Sequence, residues 1–212
     1  EMLRSLVGSE MCIRDRIRYL PDFKSKKGYI SLPVELEGNE SAFIVFRKTN
    51  KVTEKKDNFP QKAIVYKIDT PWKITFEAGK RGPKTPVVWS QLKDWMDSEN
   101  DSIKYFSGQA VYETTFTLEK LPQKSLYIDL GNVMVMAKVT LNGHYVGGVW
   151  INPYRLNVTD NLREGENKLE ITVVNNWQNR LIGDQRLPED QRLTWTTINP
   201  VSYTHLTLPT IA

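Results

Sequence analysis

Two short stretches concentrate side chains that can read a sugar or another polar surface. In VWINPYR, Trp150, Asn152, Tyr154 and Arg155 fall within six residues. An aromatic ring covers the apolar C–H face of a pyranose, and amide and guanidinium donors read its hydroxyls. A purely structural use of the same residues has Trp150 capping a core and Arg155 paired with an acid. In NNWQNRLIGDQRLP, Trp177, Asn179, Arg180 and Asp184 form a second cluster. It suits contact with a neighbouring domain or with the edge of that domain's cleft. It equally suits a buried loop held by an Arg180–Asp184 bridge and Asn-to-backbone bonds.

The remaining reactive side chains are few. The single Cys is Cys12, and the two His are His144 and His205. Cys12 sits in residues 1–16 (EMLRSLVGSEMCIRDR) and His205 in residues 201–212 (VSYTHLTLPTIA). The segments MCIRDR and SYTHLTLPTI resemble translated sequencing-adaptor or vector sequence. That resemblance implies a coding sequence truncated at both ends, so both tails are set aside from fold reasoning. As genuine termini they would be poorly ordered. Residues 17–200 then hold no Cys and one His. A disulfide, a Cys nucleophile and a Cys-based zinc site are excluded there. A Ser–His–Asp triad would have to use His144, which follows a hairpin Gly, is expected on the surface and has no visible partner. Asn39-Glu40-Ser41, Asn100-Asp101-Ser102 and Asn157-Val158-Thr159 match the short glycosylation sequon, a pattern that often arises by chance.

The elements that must position these clusters read as strands. Ala110, Tyr112, Phe116 and Leu118 share one parity, as do Leu126, Ile128 and Leu130, and Ala137, Val139 and Leu141. Leu169, Ile171 and Val173 alternate with Lys168, Glu170 and Thr172. Period two with one apolar face predicts half-buried antiparallel strands. Asn142-Gly143 supplies a two-residue hairpin turn, and Gly165-Glu166-Asn167 a second turn. Residues 63–68 and 72–77 are further strand candidates, bent at Asp69-Thr70-Pro71. Residues 91–98 suit one short helical turn. Residues 17–48 hold two more strands, near 29–36 and 42–46, parted by a turn at 37–41. Residues 48–62 lack periodicity and read as a linker.

The expected organisation is a tail at 1–16, closing strands of an unfinished β-domain at 17–48, a linker at 49–62, a β-sandwich at 63–200 and a tail at 201–212. No apolar run is long enough for a membrane helix. The net charge of +4 is dispersed, and the cluster 51–56 is broken by Thr53 and Glu54. Neither a membrane nor a nucleic acid is therefore an expected partner.

The succession YFSGQAVYETTF (105–116), LYIDLGNVMVMAKVTLNGHYVG (126–147) and VWINPYRLNVTDNLREGENKLEITVVNN (149–176) resembles the sugar-binding domain of glycoside hydrolase family 2. That resemblance implies an all-β fold, a galactose-binding-like β-sandwich or jelly roll, here with part of a preceding β-domain. The flanking segments VVWSQLKDWMDSENDSIKYFSG (87–108), NNWQNRLIGDQRLPEDQRLTWTTINP (175–200) and SLPVELEGNESAFIVFRK (31–48) resemble the C-terminal region of the large bacterial α-L-rhamnosidases of glycoside hydrolase family 106. This second resemblance implies an inverting two-carboxylate parent enzyme with a calcium ion near its active site. It also implies plant glycan or pectic oligosaccharide as substrate, and a periplasmic or secreted location. The catalytic residues belong to an upstream barrel that this chain lacks, so none is carried over. Most of the 25 acidic residues fall in turns or point outward from strands, as Glu113, Glu166 and Glu170 do, which argues against a facing carboxyl pair.

Three roles follow as expectations. The first is an accessory domain partnered with the missing catalytic domain, without catalytic residue, metal or cofactor of its own. The second is a free carbohydrate-binding module. The third is a β-sandwich interaction module with no sugar role.

Overall fold

Short runs of β-branched and aromatic residues, broken by Gly, Pro and Asn, give short strands here. The computed structural model describes residues 2–6, 17–36, 38, 41–46, 57–59 and 62–197. They fall in two units, 1–63 and 64–212.

The first unit holds β1 (Met2–Leu6), β2 (Ile17–Tyr19), β3 (Lys24–Lys26), β4 (Tyr29–Ser31) and β5 (Ala42–Phe46). An antiparallel sheet runs in the order β2-β1-β5, and β3 and β4 form a hairpin. Met2–Leu6 thus pair as the middle strand, although the sequence reading set them aside. Residues 7–16 and 201–212 lie outside the described residues. β4 ends at Ser31, so the alternation read over 29–36 continues as a strand only through its first three residues. Most of the expected linker and Asn39 also lie outside the described residues. Asn58, within that linker, is buried. Its Oδ1 accepts from Asp22 N at 2.9 Å, and its Nδ2 donates to Asp22 O at 2.8 Å.

The second unit carries β6 (Trp72–Phe76), β7 (Val87–Trp89), a 3-10 turn (Trp95–Asp97), α1 (Asp101–Lys104), β8 (Gln109–Leu118), β9 (Tyr127–Asp129), β10 (Met136–Leu141), β11 (His144–Val149), β12 (Arg155–Asn157), β13 (Gly165–Val174), α2 (Gln178–Asp184) and a 3-10 turn (Glu189–Gln191). Six strands make one antiparallel sheet in the order β11-β10-β13-β8-β6-β7, and β12 and β9 pair as a small second sheet. The chain is all-β, and its second unit has one six-stranded and one two-stranded sheet.

Register turns the alternation into a core. Ile74 lies opposite Tyr112, Tyr112 opposite Ile171, and Ile171 opposite Val139. All four are buried, which sets one row of side chains on the inner face. Leu130, Val133, Leu156 and Val158 are buried in the same cluster. The rings of Phe76, Trp95 and Phe106 meet with centroids 4.9 to 5.5 Å apart. Trp95 Nε1 donates to the buried Tyr112 hydroxyl at 2.5 Å. Burial pushes the Tyr112 phenol well above its ordinary range, so it stays protonated.

Several expectations are corrected. Residues 63–68 form no strand; Ile68 is buried in the core and the Tyr66 ring lies 5.6 Å from that of Phe116. Gly165-Glu166-Asn167 is not a turn but the first part of β13, paired with Leu118, Thr117 and Phe116. The short helical turn expected within 91–98 is present, as the 3-10 turn Trp95–Asp97, capped where Asp94 Oδ1 accepts from Met96 N. Asn142 and Gly143 do make the β10–β11 turn, both at positive φ.

Candidate functional site

β11 leads into the first cluster. Trp150 and Asn152 are exposed, whereas Tyr154 and Arg155 are half-buried. The Asn152–Pro153 peptide is cis. Tyr154 packs against the core. Arg155 opens β12 and forms an ion pair through its Nε with Asp129 Oδ2, across the β12–β9 ladder where the two residues are register partners. Asp129 Oδ1 also accepts from Gly131 N at 2.8 Å. The four residues therefore divide. Arg155 ties the small sheet together, while Trp150 and Asn152 face solvent and Trp150 does not cap the core.

The second cluster lies on α2, a helix and not the loop that sequence suggested. Asn175, just after β13, accepts at Oδ1 from Gly108 N and donates from Nδ2 to Phe106 O, each at 2.9 Å. This staple directs the chain over the segment before β8. Asn176 Oδ1 then accepts from Gln178 N at 3.1 Å as the helix starts. Gly183 lets the helix come close, since a Cβ there would stand 2.5 Å from Tyr105 Cβ. Arg180 N donates to Ser107 Oγ at 3.0 Å, and the Arg186 guanidinium lies over the Tyr105 ring, 5.2 Å from its centroid. Trp177 is exposed, with Lys80 Nζ 5.3 Å from its ring centroid.

Asp184 is the hub of this cluster and is almost fully buried. Its Oδ1 faces Arg180 Nε at 3.4 Å and Arg81 Nη1 at 3.5 Å. Its Oδ2 accepts from Leu193 N at 2.9 Å, Thr194 N at 2.8 Å and Thr194 Oγ1 at 2.7 Å. Arg81 Nη2 reaches on to Gln191 O at 2.5 Å. Burial lowers the Arg180 pKa from the usual guanidinium value, Asp184 opposes that shift, and Arg81 adds to it. Asn179 is fully buried, and neither atom of its amide makes a hydrogen bond among the described residues.

Sequence reading missed Arg81, Ser107, Asp129 and Asn175. Arg81 and Gln191 are 110 residues apart in the chain, and nothing local to either announces the other. Asp129 carried a weak signal: an acidic residue just before Leu-Gly in a short strand, with an Arg in the strand that pairs with it. Two sequon matches have structural uses. Asn100 Oδ1 caps α1 by accepting from Ser102 N and Oγ. Asn157 Oδ1 accepts from Thr159 N and Oγ1. Both are local side-chain turns that Asn-x-Ser/Thr spacing favours.

Chemically, the buried charges are committed to the fold. Asp94 caps a turn, and Asp184 binds two cations and three donors. Among the described residues no group of three His, Cys, Asp or Glu could hold a metal ion. Among the described residues no helix is long and apolar enough to cross a membrane.

Residues 89–205 match a family described as the glycosyl hydrolase 2 galactose-binding domain-like domain. Among curated proteins, the "Putative beta-glucuronidase" of Formosa agariphila is 52% identical over 107 residues, 49% of this chain and 9% of that protein. A solved rhamnosidase structure from Novosphingobium sp. PP1Y is similar with a TM-score of 0.75 and 32% identity, over 98% of this chain and 20% of that one. The chain thus spans about a tenth of the curated relative and about a fifth of the rhamnosidase.

Proposed function

The chain belongs to the glycosyl hydrolase 2 galactose-binding domain-like family, and from that membership we propose that it is a non-catalytic, carbohydrate-associated β-sandwich of a larger α-L-rhamnosidase-like glycoside hydrolase of family 106, supporting the catalytic domain. One observation carries the reading: 98% of this chain aligns with only 20% of a rhamnosidase, at 32% identity. Supporting it, Asp129 and Asp184 are bound to Arg155 and Arg180 and hold the fold. A glycosidase needs two carboxyls free to face a sugar. Calcium, if the parent uses it, is assigned to the catalytic part. The parent's substrate class is plant or pectic rhamnoside, met in the periplasm or outside the cell.

The test is direct. The 212-residue chain is incubated with an aryl α-L-rhamnoside, and release of the phenol is followed. No release above the rate in buffer is expected. Turnover by this chain alone, abolished by substituting one of its carboxylates, overturns the reading.

A second reading has one observation in its favour. Trp150 and Asn152 are both exposed beside a fixed Arg155–Asp129 pair, so a ring and an amide are open to a sugar. Titration with rhamnosylated pectin oligosaccharides separates the two. Saturable binding that Trp150→Ala removes supports a carbohydrate-binding module. No binding at millimolar sugar supports the accessory role.

A further inference from the structure

We propose that residues 191–197 are a preformed docking strip for an apolar face of the catalytic domain, an inference that rests on the accessory reading above. Exposure alternates along this segment. Gln191, Leu193, Trp195 and Thr197 face out, while Arg192, Thr194 and Thr196 are half-buried. Period two is the mark of extended chain, but the polarity is inverted. In β8 the apolar residues point inward and the polar ones outward. Here Arg192 Nε donates inward to Leu187 O at 2.9 Å and Thr194 Oγ1 to Asp184 Oδ2. Leu193 and Trp195 point to solvent, 52% and 77% exposed.

A single exposed apolar residue means little. Within 192–196 the polar Arg192, Thr194 and Thr196 are half-buried and the apolar Leu193 and Trp195 are exposed, an order for which water alone gives no reason. The segment is also fixed in place. Asp184 Oδ2 accepts from Leu193 N and Thr194 N, and Arg81 binds Gln191 O. Holding the backbone in advance lowers the ordering cost of association. The cluster of buried Asp184 and Arg180 with the exposed Arg81 thereby gains a purpose: it sets the strip's position.

The occupant follows from chemistry and from length. Trp is the residue type most enriched at protein interface hot spots. Leu193 has no flat face for a sugar to stack on, and Arg192 Nε and Thr194 Oγ1 are turned inward, which disfavours a glycan. The rhamnosidase relative carries most of its chain outside the match, so a large partner surface on the same polypeptide is available.

The test uses the 212-residue chain and the remainder of the polypeptide encoded contiguously with it, expressed separately. Hydroxyl-radical footprinting reads Trp195. In the free chain Trp195 oxidises readily, and on adding the remainder it is protected about 10-fold or more. The Leu193→Asp/Trp195→Asp variant keeps the circular-dichroism spectrum and thermal midpoint of the parent chain and binds the remainder about 30-fold or more weaker. Should that variant lose its fold, Trp195→Thr alone replaces it. If the remainder binds but leaves Trp195 oxidisable and the variant binds equally well, the strip is wrong and the accessory role stands. If no catalytic remainder exists, or it does not bind, both fall. Self-association of the chain that the variant abolishes assigns the strip to a second copy. Protection of Trp195 by a rhamnosyl oligosaccharide alone assigns it to a glycan. Either result overturns the proposal.

Discussion

Asn167 and Asn179 are the same residue in the same state of burial, with opposite bonding. Asn167 Nδ2 donates to Arg163 O at 2.7 Å and Gly165 O at 3.0 Å. Its Oδ1 accepts from Arg163 N at 3.0 Å and Asn142 Nδ2 at 2.9 Å. The Asn179 amide binds nothing among the described residues. A satisfied buried amide is costly to remove because its former partners are left without bonds. An unsatisfied one carries its desolvation cost with no return. Asn167→Ala is therefore expected to lower stability by about 2 kcal/mol or more, read as a shift of the urea midpoint at constant slope. Asn179→Leu is expected to leave stability unchanged or raise it by about 1 kcal/mol. A loss from Asn179→Leu as large as that from Asn167→Ala would show that the Asn179 amide is hydrogen-bonded in solution. Neither role is legible in sequence. Asn167 looked like a turn residue because Gly165 precedes it. Its use, holding the 161–165 bend and the Asn142 turn together, needs the strand register. The α2 cluster was legible as a concentration of polar groups, but its hub depends on Arg81, which only the fold brings near.

Among the elements, β8 and the 168–173 part of β13 were the easiest to read, since period-two apolar spacing leaves little choice of inner face. Residues 63–68 show the limit of that signal. Apolar content alone does not make a strand: Tyr66 and Ile68 pack on the core without joining a ladder. The outer face of the same sheet yields a pH prediction. Glu113 on β8 lies opposite Lys73 on β6 and accepts from its Nζ at 3.1 Å. Lys168 on β13 stands 3.3 Å from the other carboxylate oxygen. The bond to Lys73, mainly, holds the Glu113 carboxyl below its ordinary value of 4.5, against the opposing effect of partial burial. A folded-state pKa below the unfolded one stabilises the fold above the unfolded value, and the gain is lost as pH falls through the folded value. All three side chains are partly solvated, so the triad contributes no more than about 1 kcal/mol. Glu113→Gln is expected to lower the thermal midpoint slightly at pH 7. The difference from the parent chain should close as pH is lowered below 4.5, and in 1 M salt. An equal deficit at pH 7 and pH 3 would assign the loss to packing instead.

For the molecule as a whole, the two units differ in what they bury. The second unit closes the six-stranded sheet over a continuous apolar core. In the first, within residues 20–36, 38, 41–46, 57–59, 62 and 63, Leu20 is the one fully buried apolar side chain, while Tyr29, Ile30, Val34, Leu36, Phe43, Val45 and Phe46 are exposed. Stability is distributed accordingly, because a segment with little buried apolar surface opens without the rest unfolding. Amide hydrogen exchange followed by mass spectrometry should separate the units. Amides of β8 and β13 are expected to exchange only through global opening. Those of β4 and β5 should exchange faster by on the order of 1,000-fold or more. If the larger protein proposed above covers Phe43 and Phe46, β5 within it is expected to slow toward the β13 rate. β5 exchanging as slowly as β13 in the isolated chain would mean that the first unit already has a complete core, and that its exposed Phe43 and Phe46 need no further strands to cover them.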